Sequence, residues 1–232
     1  MSALQRPKIS HVIFDMDGLL IDTERLYTIV FEELCSEYGK AYTWEIKEQS
    51  MGRKPGEGAK IAIDSLQLPL TVEEFLTKAK EKQRNVFPQC SLMPGAEKLV
   101  RHLHQSNIPI AVSTGSASKI YDVKTTNHKE LFKLFHHIVC CGDDSEVKEG
   151  KPHPAAYTVA LQRFEAPIPK PEQVLVFEDA PNGVKSARAA GMHVIIVPDD
   201  RLDESKSKDA QMRLKSLEDF VPEEWGLPAY DS

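Results

Sequence analysis

Only four cysteines occur in the 232 residues, at positions 35, 90, 140 and 141. None is spaced as CxxC, and no histidine pair is placed to complete a zinc site, so neither a disulfide scaffold nor a structural zinc module is expected. Cys140 and Cys141 are adjacent in an apolar run, where they should face opposite sides of a strand as reduced thiols. Excess positive charge is also missing: 29 Lys and Arg stand against 35 Asp and Glu, for a net charge of −6. That balance offers no electrostatic footprint for nucleic acid or an anionic membrane. No apolar run is long enough to span a bilayer, the first residues MSALQRPKIS lack the apolar stretch of a secretion signal, and Arg6 and Lys8 are too few for a transit peptide. The expectation is a cytoplasmic protein acting on small soluble partners, as a monomer.

A hydrophobic content of 41% is enough for a real core. Five apolar or β-branched segments recur: HVIFD from His11, IPIAVST from Ile108, HHIVCC from His136, VLVFED from Val174 and HVIIVP from His193. Helical patterns separate them at Gly95 to Ser106, Asn127 to Phe135, Ala155 to Phe164 and Asn182 to Gly191. Alternation of this kind predicts an α/β fold, a Rossmann-like parallel sheet covered by helices. The interval between the first and second strands reads as helices alone: Asp22 to Tyr38, Thr43 to Gln49, Gly56 to Leu68, and Thr71 to Val86 with a capping box of Thr71 and Glu74. It predicts an inserted helical cap over residues 20–88, with residues 1–19 and 89–232 forming the core. The connecting stretches GLLID and FPQCSLMPG, the second interrupted by Pro88 and Pro94, would be its hinges.

The chemistry gathers at strand ends. HVIFDMDG carries an apolar strand directly into Asp15 and Asp17, where an open parallel sheet places its crevice. As a lone motif it reads better as an acidic turn. VLVF likewise ends in Glu178 and Asp179, and two acidic pairs at the ends of one sheet are explained by a hard divalent cation held on oxygen. After the second strand, Thr114, Gly115 and Ser116 supply hydroxyls and amides suited to phosphate oxygens. Lys151, fixed before Pro152 and Pro154, puts an ammonium beside the acids. Asn182, in the first turn of the helix opened by Pro181, is a weaker phosphate donor.

This ordered set resembles the haloacid dehalogenase-like hydrolases over essentially the whole chain, the helical insertion after FDMDG included. The resemblance implies a phosphoric monoester hydrolase. Asp15 would be the nucleophile that becomes an aspartyl-phosphate, and Asp17 the general acid and base. Thr114 and Lys151 would hold the phosphoryl oxygens, with Mg²⁺ as cofactor on Asp15, the Asp17 carbonyl, Asp179 and either directly or through water on Glu178. Mutases of the family carry a cap His five residues after the Asp that follows DxDG, and an Arg three residues after a cap Gly; here Tyr27 and Pro55 stand there. Those departures favour hydrolysis over a mutase, and the presence of both Asp15 and Asp17 speaks against a silent phospho-ligand binder. MGRK, TNHKELF, EVKEGKP, VFEDAPNGV and PEEWGLP resemble the branch of pseudouridine-5'-phosphatases and glycerol-phosphate phosphatases. The substrate implied is a small phosphorylated metabolite, pseudouridine 5'-phosphate first and a glycerol phosphate second. Thr23, Glu24, Tyr27, Arg53 and Lys54 are the cap residues expected to face it. In the tail, a short helix is expected around Ser216 to Phe220, with Trp225 and Leu227 docked on the core.

Overall fold

The computed structural model describes residues 8–50 and 55–231. Arg53 and Lys54 therefore lie outside the described residues. Six parallel strands form one sheet in the order β3-β2-β1-β4-β5-β6. They are β1 (His11–Phe14), β2 (Ile110–Thr114), β3 (His137–Cys140), β4 (Val174–Glu178), β5 (His193–Ile196) and β6 (Met212–Arg213). The first five are the strands read from the sequence; the sixth is only two residues long. Alternation along β1 explains the two layers: Val12 and Phe14 pack with Leu99, Val100, Leu103 and Phe132 on one face, Ile13 with Tyr157, Ala160, Val184 and Ala187 on the other. The first layer comes from α5 (Ala96–Gln105) and α7 (Lys129–Phe132), the second from α8 (Ala155–Gln162) and α9 (Pro181–Ala189). Alpha-helix α6 (Ser118–Lys124), unforeseen in the sequence, follows β2, and the stretch expected as one helix from Asn127 to Phe135 is ordered as helix only over α7.

Between β1 and β2 stand α1 (Thr23–Ser36), α2 (Trp44–Ser50), α3 (Pro55–Leu66) and α4 (Val72–Val86). They close on a cluster of their own that includes Val30, Leu34, Ile46, Ala59, Ala62 and Phe75. Asp22 caps α1 through its side chain, and the Thr71–Glu74 capping box opens α4. The two connecting stretches run together, since Ile21 bridges Leu92 and the Met93 amide donates to the Leu20 carbonyl at 2.9 Å. On the far side, Arg201 stacks on the Trp44 ring with its guanidinium 3.8 Å from the centroid, and Lys206 pairs with Glu48 at 2.8 Å. The helical layer thus rests on the core at two separate places.

Trp225 and Leu227 are buried against the core as expected, and the tail helix is a single 3-10 turn over Leu217–Asp219. All four cysteines are free thiols. Among the described residues no helix is long and apolar enough to cross a membrane.

One half-buried group makes stability sensitive to acid. His137 Nε2 donates to the Ala160 carbonyl at 2.8 Å and its ring packs edge-on against Phe164. Burial pushes its pKa from 6.5 down to about 4, the hydrogen bond to Ala160 opposing and His136 adding to the fall. The unfolded chain takes up this proton near the ordinary value while the folded protein does not, so stability is lost as pH falls from 6.5 to about 4. In urea titrations across that interval, His137→Gln is expected to flatten the loss by up to about one proton. An unchanged slope would assign the acid sensitivity elsewhere.

Candidate active site

Because β1 lies between β2 and β4, its carboxyl end is the point where the chain turns to opposite sides of the sheet, and a crevice opens there. Pairing of Phe14 with Val112 and with Phe177 brings three strand ends level. That register sets Asp15 level with Ser113 and Glu178, with Thr114 one residue further along β2. Asp15 is anchored by its amide, which donates to the Phe177 carbonyl at 2.9 Å.

Carboxylate oxygens of Asp15, Glu178 and Asp179 all lie within 4.8 Å of one another. Three acids that close repel unless cations intervene, and one intervenes already. Lys151 Nζ donates to Asp15 Oδ1 at 2.6 Å and to Glu178 Oε1 at 2.7 Å. It also reaches the Tyr157 hydroxyl at 2.9 Å and the Ser113 carbonyl at 3.1 Å. The stiff Lys-Pro loop holds it there, and Pro154 caps α8 directly behind. A single ammonium does not neutralise three acids. Burial pushes Asp15 up to about 7, Lys151 opposing and Glu178 and Asp17 adding to the rise. Asp179 is driven up as well, by burial first and then by Asp15 and Glu178.

An all-oxygen donor set with surplus negative charge fits Mg²⁺. Asp15 and Asp179 are the carboxylates best able to hold the ion. Glu178 is already occupied: Oε1 accepts from Lys151 and from Tyr157, and Oε2 accepts from the amides of Asp179 and Ala180 at 3.2 and 3.3 Å. Its geometry suits orienting the ion's surroundings more than binding it directly.

Glu178 also explains a glycine. A Cβ on Gly183 would fall 1.8 Å from Glu178 Oε1, so α9 approaches the carboxylate as closely as a backbone without a side chain permits. Gly183→Ala is expected to displace Glu178, lower stability by about 1–3 kcal/mol as overpacking does, and reduce turnover. Full activity with an unchanged melting temperature would show that Glu178 is free to move.

Asp17 faces a different set of partners. Its Oδ2 accepts from Thr114 Oγ1 at 3.1 Å and from Ser116 Oγ at 3.0 Å, and its Oδ1 accepts from the buried ammonium of Lys124. Burial raises the Asp17 pKa, but Lys124 more than offsets this and holds the carboxyl below the ordinary aspartate range. Gly18 follows with φ of +80°, and a Cβ there would lie 2.5 Å from Asp179 Oδ2. The DxDG glycine is thus required both by its left-handed backbone and by the acid beside it.

The structure brings Asp15, Asp17, Thr114, Ser116, Lys151, Glu178 and Asp179 into one crevice. Gly115 lies in the same loop. Asn182, in the first turn of α9, lines a separate cleft of about 320 Å³ with Glu48, Lys185 and Lys206. Of the expected cap residues, Thr23 is fully buried, Glu24 pairs with Lys47 at 3.4 Å, and the Tyr27 hydroxyl accepts from Lys124 at 3.1 Å. Sequence reasoning missed Lys124, Lys47 and Tyr157. Tyr157 alone left a trace, as a tyrosine on the apolar side of α8 whose hydroxyl needs a buried partner.

Known proteins place this geometry. The sequence pattern of the haloacid dehalogenase-like hydrolases matches residues 9–191. An Arabidopsis thaliana protein named "(DL)-glycerol-3-phosphatase 1, mitochondrial" is 50% identical over 97% of this chain and 76% of its own. The Drosophila melanogaster protein named "Probable pseudouridine-5'-phosphatase" is 47% identical over 96% of both chains. A crystal structure of a haloacid dehalogenase family hydrolase from Deinococcus radiodurans, with bound phosphate and sodium, superposes with a TM-score of 0.78 over 97% of this chain and all of that one at 22% identity, a likeness of fold. A strand-end aspartate pair, a hydroxyl loop, a Lys-Pro loop and a second acidic pair, joined to these matches, make the chain a member of the haloacid dehalogenase-like hydrolases.

Proposed function

We propose that the protein is a Mg²⁺-dependent phosphomonoesterase in which Asp15 takes the phosphoryl group, with residues 20–88 as a cap over the crevice. The observation that carries this reading is Asp15 itself, buried at the end of the central strand and paired to Lys151 at 2.6 Å, with Glu178 and Asp179 beside it. An Asp15 oxygen attacks phosphorus and the ester P–O bond breaks; Asp17, a carboxylate in the free protein, takes up a proton from solvent when the phosphoryl oxygens draw the Thr114 and Ser116 hydroxyls away from it, and passes that proton to the leaving oxygen. Water then attacks the aspartyl-phosphate, Asp17 takes that water's proton, and Asp15 departs as a carboxylate together with inorganic phosphate. Lys151, Thr114 and Ser116 hold the phosphoryl oxygens through both steps, with backbone donors of the Gly115 loop aiding them. Asp15, Asp179 and the Asp17 carbonyl would hold Mg²⁺, which would supply positive charge for the transferring group and align its oxygens.

The favoured substrate is pseudouridine 5'-phosphate. Relatives at 50% and 48% identity named as glycerol-3-phosphatases favour a glycerol phosphate as the second reading. Both are small phosphorylated metabolites. Tyr27 supports hydrolysis over mutation, because its hydroxyl is engaged by Lys124 and its ring packs at 5.0 Å from Phe87, leaving it no histidine-like role.

The test is phosphate release with and without Mg²⁺ from pseudouridine 5'-phosphate, uridine 5'-phosphate, both glycerol phosphates and β-glucose 1-phosphate. Mg²⁺-dependent release, fastest from pseudouridine 5'-phosphate, is the expected result. A preference for glycerol 3-phosphate replaces the substrate and keeps the chemistry. A folded protein that releases phosphate from none of them overturns the reading.

A further inference from the structure

Lys124 has no part in the mechanism above, yet its ammonium lies wholly inside the protein, with a side-chain exposure of 0%. Burying an ammonium costs several kcal/mol unless every donor is used. All three are used: on Asp17 Oδ1, on Ser116 Oγ at 2.9 Å and on the Tyr27 hydroxyl at 3.1 Å. The rings of Phe87 and Tyr27 flank it at 4.9 and 5.0 Å. With no donor left for a ligand and no access to solvent, Lys124 acts only through its neighbours.

Those neighbours define what it does. A hydroxyl has one proton to give. Thr114 Oγ1 and Ser116 Oγ both give theirs to Asp17. The same two hydroxyls are the donors assigned to the phosphoryl group, and when phosphoryl oxygens take them Asp17 loses both bonds. Lys124 then remains as the charged donor on the carboxyl, with the buried Thr23 hydroxyl beside it.

We propose that Lys124 is a positioning residue of the reaction: it keeps Asp17 aimed at the leaving oxygen once substrate occupies the Thr114 and Ser116 hydroxyls, and through Tyr27 it ties that aim to the seating of helix α1. The inference rests on the phosphatase reading and adds to it a link between the helical layer and the acid. Alpha-helix α6 exists, on this view, to deliver its last residue to that point. Its Ile120, Tyr121 and Val123 pack against the core and so hold the lysine in place.

The test compares two leaving groups, because only one needs the acid. 4-Nitrophenolate departs from phosphorus without protonation, whereas a glycerol alkoxide does not. The ratio kcat/KM reports the steps up to loss of the leaving group and so isolates the phosphorylation of Asp15. Lys124→Met is expected to lower kcat/KM for glycerol 3-phosphate by on the order of 10²-fold, and for 4-nitrophenyl phosphate by less than about threefold. Equal losses on both substrates, or no loss on either, overturn the inference.

Should Lys124→Met fail to fold, Tyr27→Phe decides, since it removes one acceptor of the ammonium and leaves every charge in place. A loss of about threefold to tenfold confined to glycerol 3-phosphate is then the expected result, and a uniform or absent effect overturns the proposal. Wild-type protein and Asp15→Asn run alongside. If wild type cleaves neither ester, or Asp15→Asn retains activity, the phosphatase reading falls and this inference with it. Wild-type turnover that Asp15→Asn abolishes, with equal losses in the Lys124 variant, sinks the inference alone.

Discussion

Asp15→Asn is expected to keep the fold and to lower phosphate release by on the order of 10⁴-fold or more, the scale on which removal of a nucleophile acts. The side chains are nearly the same size, and the anchoring amide bond to the Phe177 carbonyl belongs to the backbone. What changes is the nucleophile: an amide oxygen does not form the acyl-phosphate, and one of three crowded charges disappears. The sign of the stability change follows from the same crowding. Burial pushes Asp15 up to about 7, so its charge at neutral pH works against the folded state in the absence of a cation. Lys151 keeps Glu178 at 2.7 Å as a partner after the substitution. The variant should therefore melt no lower than wild type when Mg²⁺ is absent, and should gain less from adding Mg²⁺. Melting curves and phosphate release on the same preparation separate the two effects. Release at a rate near wild type would remove Asp15 from its role; a large drop in melting temperature would show that its charge holds the crevice together.

Why Asp15 was legible in the sequence, and Lys124 was not, is a matter of range. Asp15, Asp17, Thr114, Glu178 and Asp179 sit at the ends of apolar strands, and an apolar run that stops at an acid or a hydroxyl is a local signal. Lys151 is marked by the prolines that follow it. Each motif alone is weak, and their order along the chain makes them a site. Lys124 carries no such mark. Its burial depends on meeting Asp17 across 107 residues of chain and on two aromatic rings of the helical layer. A lysine at the end of a short helix otherwise reads as a solvated surface residue. Tyr157 is similar in kind: its hydroxyl meets Glu178 only because α8 packs against β2 and β3 beside the end of β4. Strand β6 was invisible for another reason. It has two residues and no apolar run, and the chain is held beside β5 partly by a side chain, the Gln211 oxygen accepting from the Val194 amide at 2.7 Å.

Lys151→Met is expected to damage both stability and turnover, and the two losses can be pulled apart. Lys151 is the one cation hydrogen-bonded to both Asp15 and Glu178 among the described residues, and its side chain is 15% exposed. Removing one partner of a buried ion pair leaves the other uncompensated, which costs about 3–5 kcal/mol. Here two acids lose their partner, and Tyr157 retains only Glu178. Turnover should fall on the order of 10³-fold, because a fixed positive charge aimed at the transferring group is lost. Mg²⁺ supplies positive charge to the same carboxylates, so it should raise the unfolding midpoint of Lys151→Met by more than that of wild type. Adding Glu178→Gln then removes the acid that Lys151 neutralised most deeply, 1% exposed, while the amide still accepts from the Tyr157 hydroxyl. The double variant should recover much of the lost stability and none of the activity, since the stability deficit comes from an unpaired buried charge and the catalytic deficit from a missing phosphoryl partner. Urea midpoints and phosphate release for the single and double variants give the answer. Recovery of activity in the double variant would mean that Lys151 serves only to neutralise Glu178 and touches the phosphoryl group in no step.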